Sequence, residues 1–116
     1  MGDRATVAVK QKEGTIYLYT HWDGYRLHRI VQHAIARRQR WDDETYLTRI
    51  IFSEMVREAI DAETGYGIGL SEPGDVQYPT IVVDLAKQEV RIDNYTASFE
   101  ELASISAAEL DLRLKR

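Results

Sequence analysis

Three side chains in this sequence could share a proton or hold a metal. His21 and Asp23 stand two apart inside the stretch YTHWDGYRLHRI (Tyr19–Ile30), and Glu54 falls within a later apolar run. Imidazole and carboxylate together can ligate zinc or act as general acid and base. The spacing matches no metal signature, and His28 and His33, five apart, point away from each other on a helix instead of gripping one ion. No His-Glu-x-x-His, nucleophile elbow or phosphate loop is present. The same residues also read as architecture. Asp23 can accept from the amides of Tyr25 or Arg26 at the start of a helix, Gly24 relaxes the bend, and Trp22 buries a large apolar area. Glu54 lies three and four residues after Ile51 and Ile50, so it looks toward an apolar face. There it needs a partner such as an arginine, or else carries a shifted pKa and becomes an acid or base.

A second constellation is cationic. Arg26, Arg29, Arg37, Arg38 and Arg40 recur across 15 residues, with Trp22 and Trp41 at either end. Arginine suits bidentate contacts to carboxylate and phosphate, and tryptophan and arginine dominate interface energetics. These seven residues are the candidate binding set. The alternative is a solvated helix face, partly paired with Asp42, Asp43 and Glu44. The stretch GYGIG (residues 65–69) resembles a phosphate loop only in its glycines. It lacks the following Lys-Ser/Thr and the preceding strand, so it reads as a loop running into a strand.

The elements that must position these residues follow from periodicity. Ala5–Lys10 and Thr15–Thr20 are β-branched and aromatic, and Lys12-Glu13-Gly14 turns them into a hairpin. From Tyr25 the period becomes helical: Leu27, Ile30, Val31, Ala34 and Ile35 form one apolar stripe, opposite Arg26, Arg29, His33, Arg37 and Arg40. Asp42 and Asp43 stand where an N-cap belongs, before a second helix over Glu44–Ile60, whose wide apolar face predicts the most buried helix. Thr80–Leu85 and Glu89–Asp93 form a further hairpin. Ser98 and Ser106 each precede a glutamate by three residues, the spacing of a capping box, so short helices close the sequence. Lys115 and Arg116 are expected to fray. The order ββααβββ-α predicts one α+β domain over residues 1–116: a mostly antiparallel sheet, two main helices on one face and a short C-terminal helical segment.

Composition bounds the function. The 116 residues suffice for one self-sufficient core. With 44% hydrophobic and 29% charged residues, the chain is globular and not disordered. The absence of cysteine excludes disulfides and thiolate metal sites. No apolar run approaches a membrane span, and a soluble, cytoplasmic protein without cofactor is expected. The net charge is −4, but residues 1–41 carry +5 and residues 42–116 carry −9. An acidic whole argues against coating nucleic acid, while a local basic face still permits it.

The combination YLYTHWDGYRL, RWDDETYLTRIIFSEMV, ETGYGIG and PTIVVDL resembles a group of small uncharacterised proteins of phages and bacteria. The resemblance covers roughly residues 14–85 and brings no activity or catalytic residue with it. What it implies is context: small phage-type proteins of this size often bind a host protein, including as inhibitors of CRISPR or other defence complexes. Three functions are thus expected in order: a non-enzymatic interaction protein docking through the basic helix, a nucleic-acid-binding accessory protein using the same face, and a small hydrolase or metal-dependent enzyme at His21, Asp23 and Glu54.

Overall fold

The computed structural model describes residues 2–116. Strands β1 (Ala5–Gln11) and β2 (Gly14–Thr20) form the expected hairpin, in register from Ala5↔Thr20 to Gln11↔Gly14. A 3-10 turn at Gly24–Arg26 leads into α1 (Leu27–Ala36), and α2 (Glu44–Met55) follows. Then come β3 (Tyr66–Gly69), β4 (Ile81–Asp84), β5 (Glu89–Ile92) and β6 (Tyr95–Ser98). Two short helices, α3 (Phe99–Ser104) and α4 (Ala107–Leu114), close the chain. The six strands make one sheet in the order β3-β2-β1-β4-β5-β6, with β1 and β4 its one parallel pair. The fold is α+β, as the patterning predicts.

Alternation explains how sheet and helices meet. Val7, Val9, Leu18, Ile81, Val83, Val90, Ile92 and Ala97 project from successive strands into one apolar cluster. The α1 stripe (Leu27, Ile30, Val31, Ala34, Ile35) and Leu47, Ile50, Ile51 and Met55 of α2 fill the same cluster. Removing each of the Val, Leu, Ile and Met side chains from water contributes about 1.5–3 kcal/mol, against the backbone entropy of ordering it. The N-caps act as their spacing predicts. Asp43 accepts from Tyr46 N, Ser98 from Glu101 N and Ser106 from Glu109 N.

Four features differ from the sequence expectation. Strand β6 was not anticipated: Asp93 adopts φ 55°, and with Asn94 makes the two-residue loop that pairs Ile92 with Tyr95. Helix α2 ends at Met55, five residues early. Val56 is its last core anchor, while Ile60 would gain nothing from continuing, being 77% exposed. The most buried helix is α1, which hides seven of its ten residues against five of twelve in α2. Finally, Arg116 does not fray: its Nη1 lies 3.2 Å from His28 Nδ1, and its guanidinium covers the Tyr78 ring.

Candidate binding site

The strand-to-helix corner at His21–Gly24 is held by the backbone of two distant segments. Asp3 N donates to His21 O, His21 N to Gly65 O and Gly24 N to Asp3 O, all within 2.7–2.8 Å. Asp3, not Asp23, caps the turn, its Oδ2 accepting from Tyr25 N at 2.7 Å. Asp23 makes no capping bond and is buried. Its Oδ1 accepts from Arg26 Nε at 3.2 Å and its Oδ2 from the Tyr66 hydroxyl at 2.6 Å. Burial and the bond to Asp23 push the Tyr66 phenol up to about 12. Trp22 is 50% exposed, so it buries only part of the apolar area that its structural reading assigns to it. It packs edge-on against His21 with ring centroids 4.4 Å apart.

The three acid–base candidates are not gathered in one place. Asp23 and Glu54 line an open groove of about 800 Å³ beside α1, together with Arg26, His33, Arg57 and Tyr66, but His21 is not part of it. His21 instead sits with Tyr19, whose hydroxyl is 3.0 Å from its Nδ1. Among the described residues, no three His, Asp or Glu side chains converge as a metal would require. Glu54 is the charged group of this groove that is most withdrawn from water, its side chain 4% exposed. Arg37 Nη1 lies 3.3 Å from its Oε1, Arg57 donates to the same oxygen, and His33 Nδ1 is 3.8 Å from Oε2. The arginine partners that sequence reasoning asks for are therefore present, and they neutralise the carboxylate.

The arginine row is not one continuous ridge. The helix stops at Ala36, and Arg38 adopts φ 55° just past its end, in the left-handed conformation that closes a helix. Arg26 pairs with Asp23, Arg29 with Asp111, Arg37 with Glu54 and Arg38 with Glu100. None of these partners is Asp42, Asp43 or Glu44. Arg40 differs. Among the described residues it has no carboxylate within ion-pair distance, and its guanidinium lies 4.9 Å from the Tyr46 ring centroid. Trp41 is turned inward: its Nε1 donates to Ile35 O at 3.0 Å and its ring meets Phe99 edge-on at 5.6 Å.

Sequence reasoning missed Arg49 and Tyr46. Both belong to α2, and with Ile50 they fall at i, i+3 and i+4, so they share one face beside Arg37 and Arg40. Like Arg40, Arg49 takes part in no ion pair among the described residues; its Nη1 donates to Ser53 Oγ at 3.3 Å. Helical spacing alone marks this face of α2, whereas the arginine row lies along α1 and just past its end. Among the described residues no helix is long and apolar enough to cross a membrane. Comparison with known protein families, with characterised proteins and with solved structures returns no match.

Proposed function

We propose that this chain is a non-catalytic binding protein that captures an acidic partner protein through the corner where α1 gives way to α2. One observation carries this reading. In a molecule of net charge −4, Arg40 and Arg49 share a surface hollow without a carboxylate in its lining, whereas Arg26, Arg29, Arg37 and Arg38 are each matched by one. Unmatched guanidiniums on an exposed corner steer an acidic surface toward it and can form bidentate bonds once it arrives. The docking set thus centres on Arg37, Arg40 and Arg49, with Arg38 beside them, and leaves Arg26, Arg29 and Trp22 at the other end of α1. Host-defence complexes are the partner class brought forward by the resemblance to small phage and bacterial proteins.

The test is affinity purification from host cells with the wild-type chain and with Arg40→Glu/Arg49→Glu, followed by reconstitution with the recovered protein. The reversed variant should fold normally and lose the partner, and the purified complex should weaken with salt. Equal recovery by both proteins would remove this corner as the docking face. A second reading, single-stranded nucleic acid, draws on the half-exposed Tyr46 ring next to two arginines, a combination that stacks bases and holds phosphates. It requires oligonucleotide binding that weakens steeply between low and physiological salt.

A further inference from the structure

The corner hollow has a more specific chemistry than general positive charge. It has a volume of about 380 Å³ and is lined by Arg37, Gln39, Arg40, Tyr46, Arg49 and Ile50. Ile50, 3% exposed, is the one buried apolar side chain in that lining. Three guanidiniums line the hollow, yet they do not count equally. Arg37 already meets Glu54, which it shares with Arg57, so its charge is partly matched from behind. Arg40 and Arg49 are not matched, leaving two positive charges and an exposed amide, Gln39, around one small space. The α2 N-terminus adds nothing, because Asp43 occupies it.

Two unmatched guanidiniums call for a dianion. A phosphate monoester carries about −1.5 to −2 at pH 7 and offers three acceptor oxygens to the planar arginine forks. A carboxylate or a phosphodiester carries one charge and would leave one guanidinium uncompensated. Backbone geometry adds a second indication. Arg40 holds φ 58°, a left-handed conformation that favours glycine or asparagine, and at this conformational cost its guanidinium lies 4.9 Å from the Tyr46 ring centroid. We infer that this hollow is a recognition site for a phosphate monoester carried by a phosphorylated side chain of the partner. The inference rests on the corner being the docking face and names what that face reads.

Isothermal titration of the full chain with phenyl phosphate, dimethyl phosphate, acetate and a short phosphoserine peptide tests it. Phenyl phosphate should bind at least tenfold more tightly than dimethyl phosphate or acetate. Its affinity should fall at least tenfold in Arg40→Gln and in Arg49→Gln, and should decline as pH drops through about 6, where the monoester loses its second charge. Arg40→Asn, which suits the left-handed backbone, should lose binding while keeping or raising the melting temperature. The phosphoserine peptide should bind more tightly than phenyl phosphate; weaker binding would overturn the assignment to a partner side chain. Equal affinity for phenyl and dimethyl phosphate, or unchanged affinity in both glutamine variants, would overturn the inference. If partner capture needs Arg40 and Arg49 but phenyl phosphate neither binds nor competes, the docking face stands and the monoester assignment falls. If phenyl phosphate binds while capture ignores both arginines, the docking reading falls and the monoester site stands.

Discussion

Arg37 Nη1 stands 3.3 Å from Glu54 Oε1, and that contact joins two concave surfaces of the molecule. Glu54 lines the larger groove and Arg37 lines the corner hollow. The buried carboxylate thereby sets how much positive charge the hollow presents. Glu54→Gln keeps the shape and removes the charge. Arg37 is one-third exposed and Arg57 more so, which lets water screen the charges left behind. The cost to stability is therefore about 1 kcal/mol, well below that of an isolated buried charge. Freed of its counter-charge, Arg37 should strengthen anion binding at the corner. Chemical denaturation and phenyl phosphate titration of the same variant check both halves. Weaker anion binding would show that Glu54 orients Arg37 and does not mask it.

The two tryptophans should behave oppositely. Trp41 donates to Ile35 O and packs on Phe99, so Trp41→Ala opens a hole against the core and costs about 3 kcal/mol. Trp22→Ala, at a half-exposed site, should cost less than about 1 kcal/mol. Urea midpoints at equal slope measure the difference. A comparable loss in both would mean that Trp22 anchors the strand-to-helix corner after all.

Gly24 and Gly65 are required for different reasons. A Cβ at Gly24 would stand 2.6 Å from Asp3 O, a backbone atom tied into the corner, and 2.5 Å from Tyr78 Cε2. Gly24→Ala should thus cost about 2 kcal/mol by overpacking. At Gly65 the φ is +97°, and the nearest atom, 2.5 Å away, belongs to the half-exposed Trp22 side chain, which can swing aside. Gly65→Ala should cost about 1 kcal/mol, mainly from the backbone. Thermal melts of the two variants give the order, and Gly65→Ala proving the more harmful would show Trp22 to be fixed.

His28 makes the C-terminal end of the molecule sensitive to acid. Its Nε2 is 2.7 Å from Asp111 Oδ1 while Arg116 Nη1 is 3.2 Å from its Nδ1, a set satisfied by the neutral ring with the proton on Nε2. Burial lowers the His28 pKa, with Arg116 adding to the shift against the opposing pull of Asp111. The Arg29 bond, followed by that of His28, lowers the Asp111 carboxyl to about 2. Both folded pKa values lie below their unfolded ones, so both contributions are present at neutral pH and are lost on acidification. Stability should decline below about pH 6.5 as unfolded His28 gains its proton, and again between about pH 4 and 2 through Asp111. Arg116→Ala should raise the His28 pKa, read by its ring proton shifts in an NMR titration. An unchanged His28 titration would mean that Arg116 does not act on the ring.

Much of the fold was legible because its signals are local. The TIYLYT alternation, the Leu27–Ile35 stripe and the serine–glutamate spacings at Ser98 and Ser106 each encode an element within a few residues. What was not legible depends on partners far along the chain. Helix α2 stops at Met55, with Val56 its last buried residue and Ile60 exposed, and the half-exposed Trp22 packs against His21 and Gly65, 43 residues further on. The site divided in the same way. Arginine content marked the first helix, but whether an arginine is available depends on Asp111 and Glu100, 82 and 62 residues away from Arg29 and Arg38, and no spacing rule connects them. The hollow needed Arg49 from the second helix. Only the chain turn at Arg38–Arg40 brings the two together.

Site-specific photocrosslinking tests the docking corner most directly. A photoreactive phenylalanine analogue replaces Tyr46, at the corner, in one protein and Thr96, exposed on strand β6, in another. With the partner recovered from host cells, position 46 should give a covalent adduct that disappears when Arg49 is reversed to glutamate, and position 96 should give none. An adduct at position 96 with none at position 46 would contradict the account.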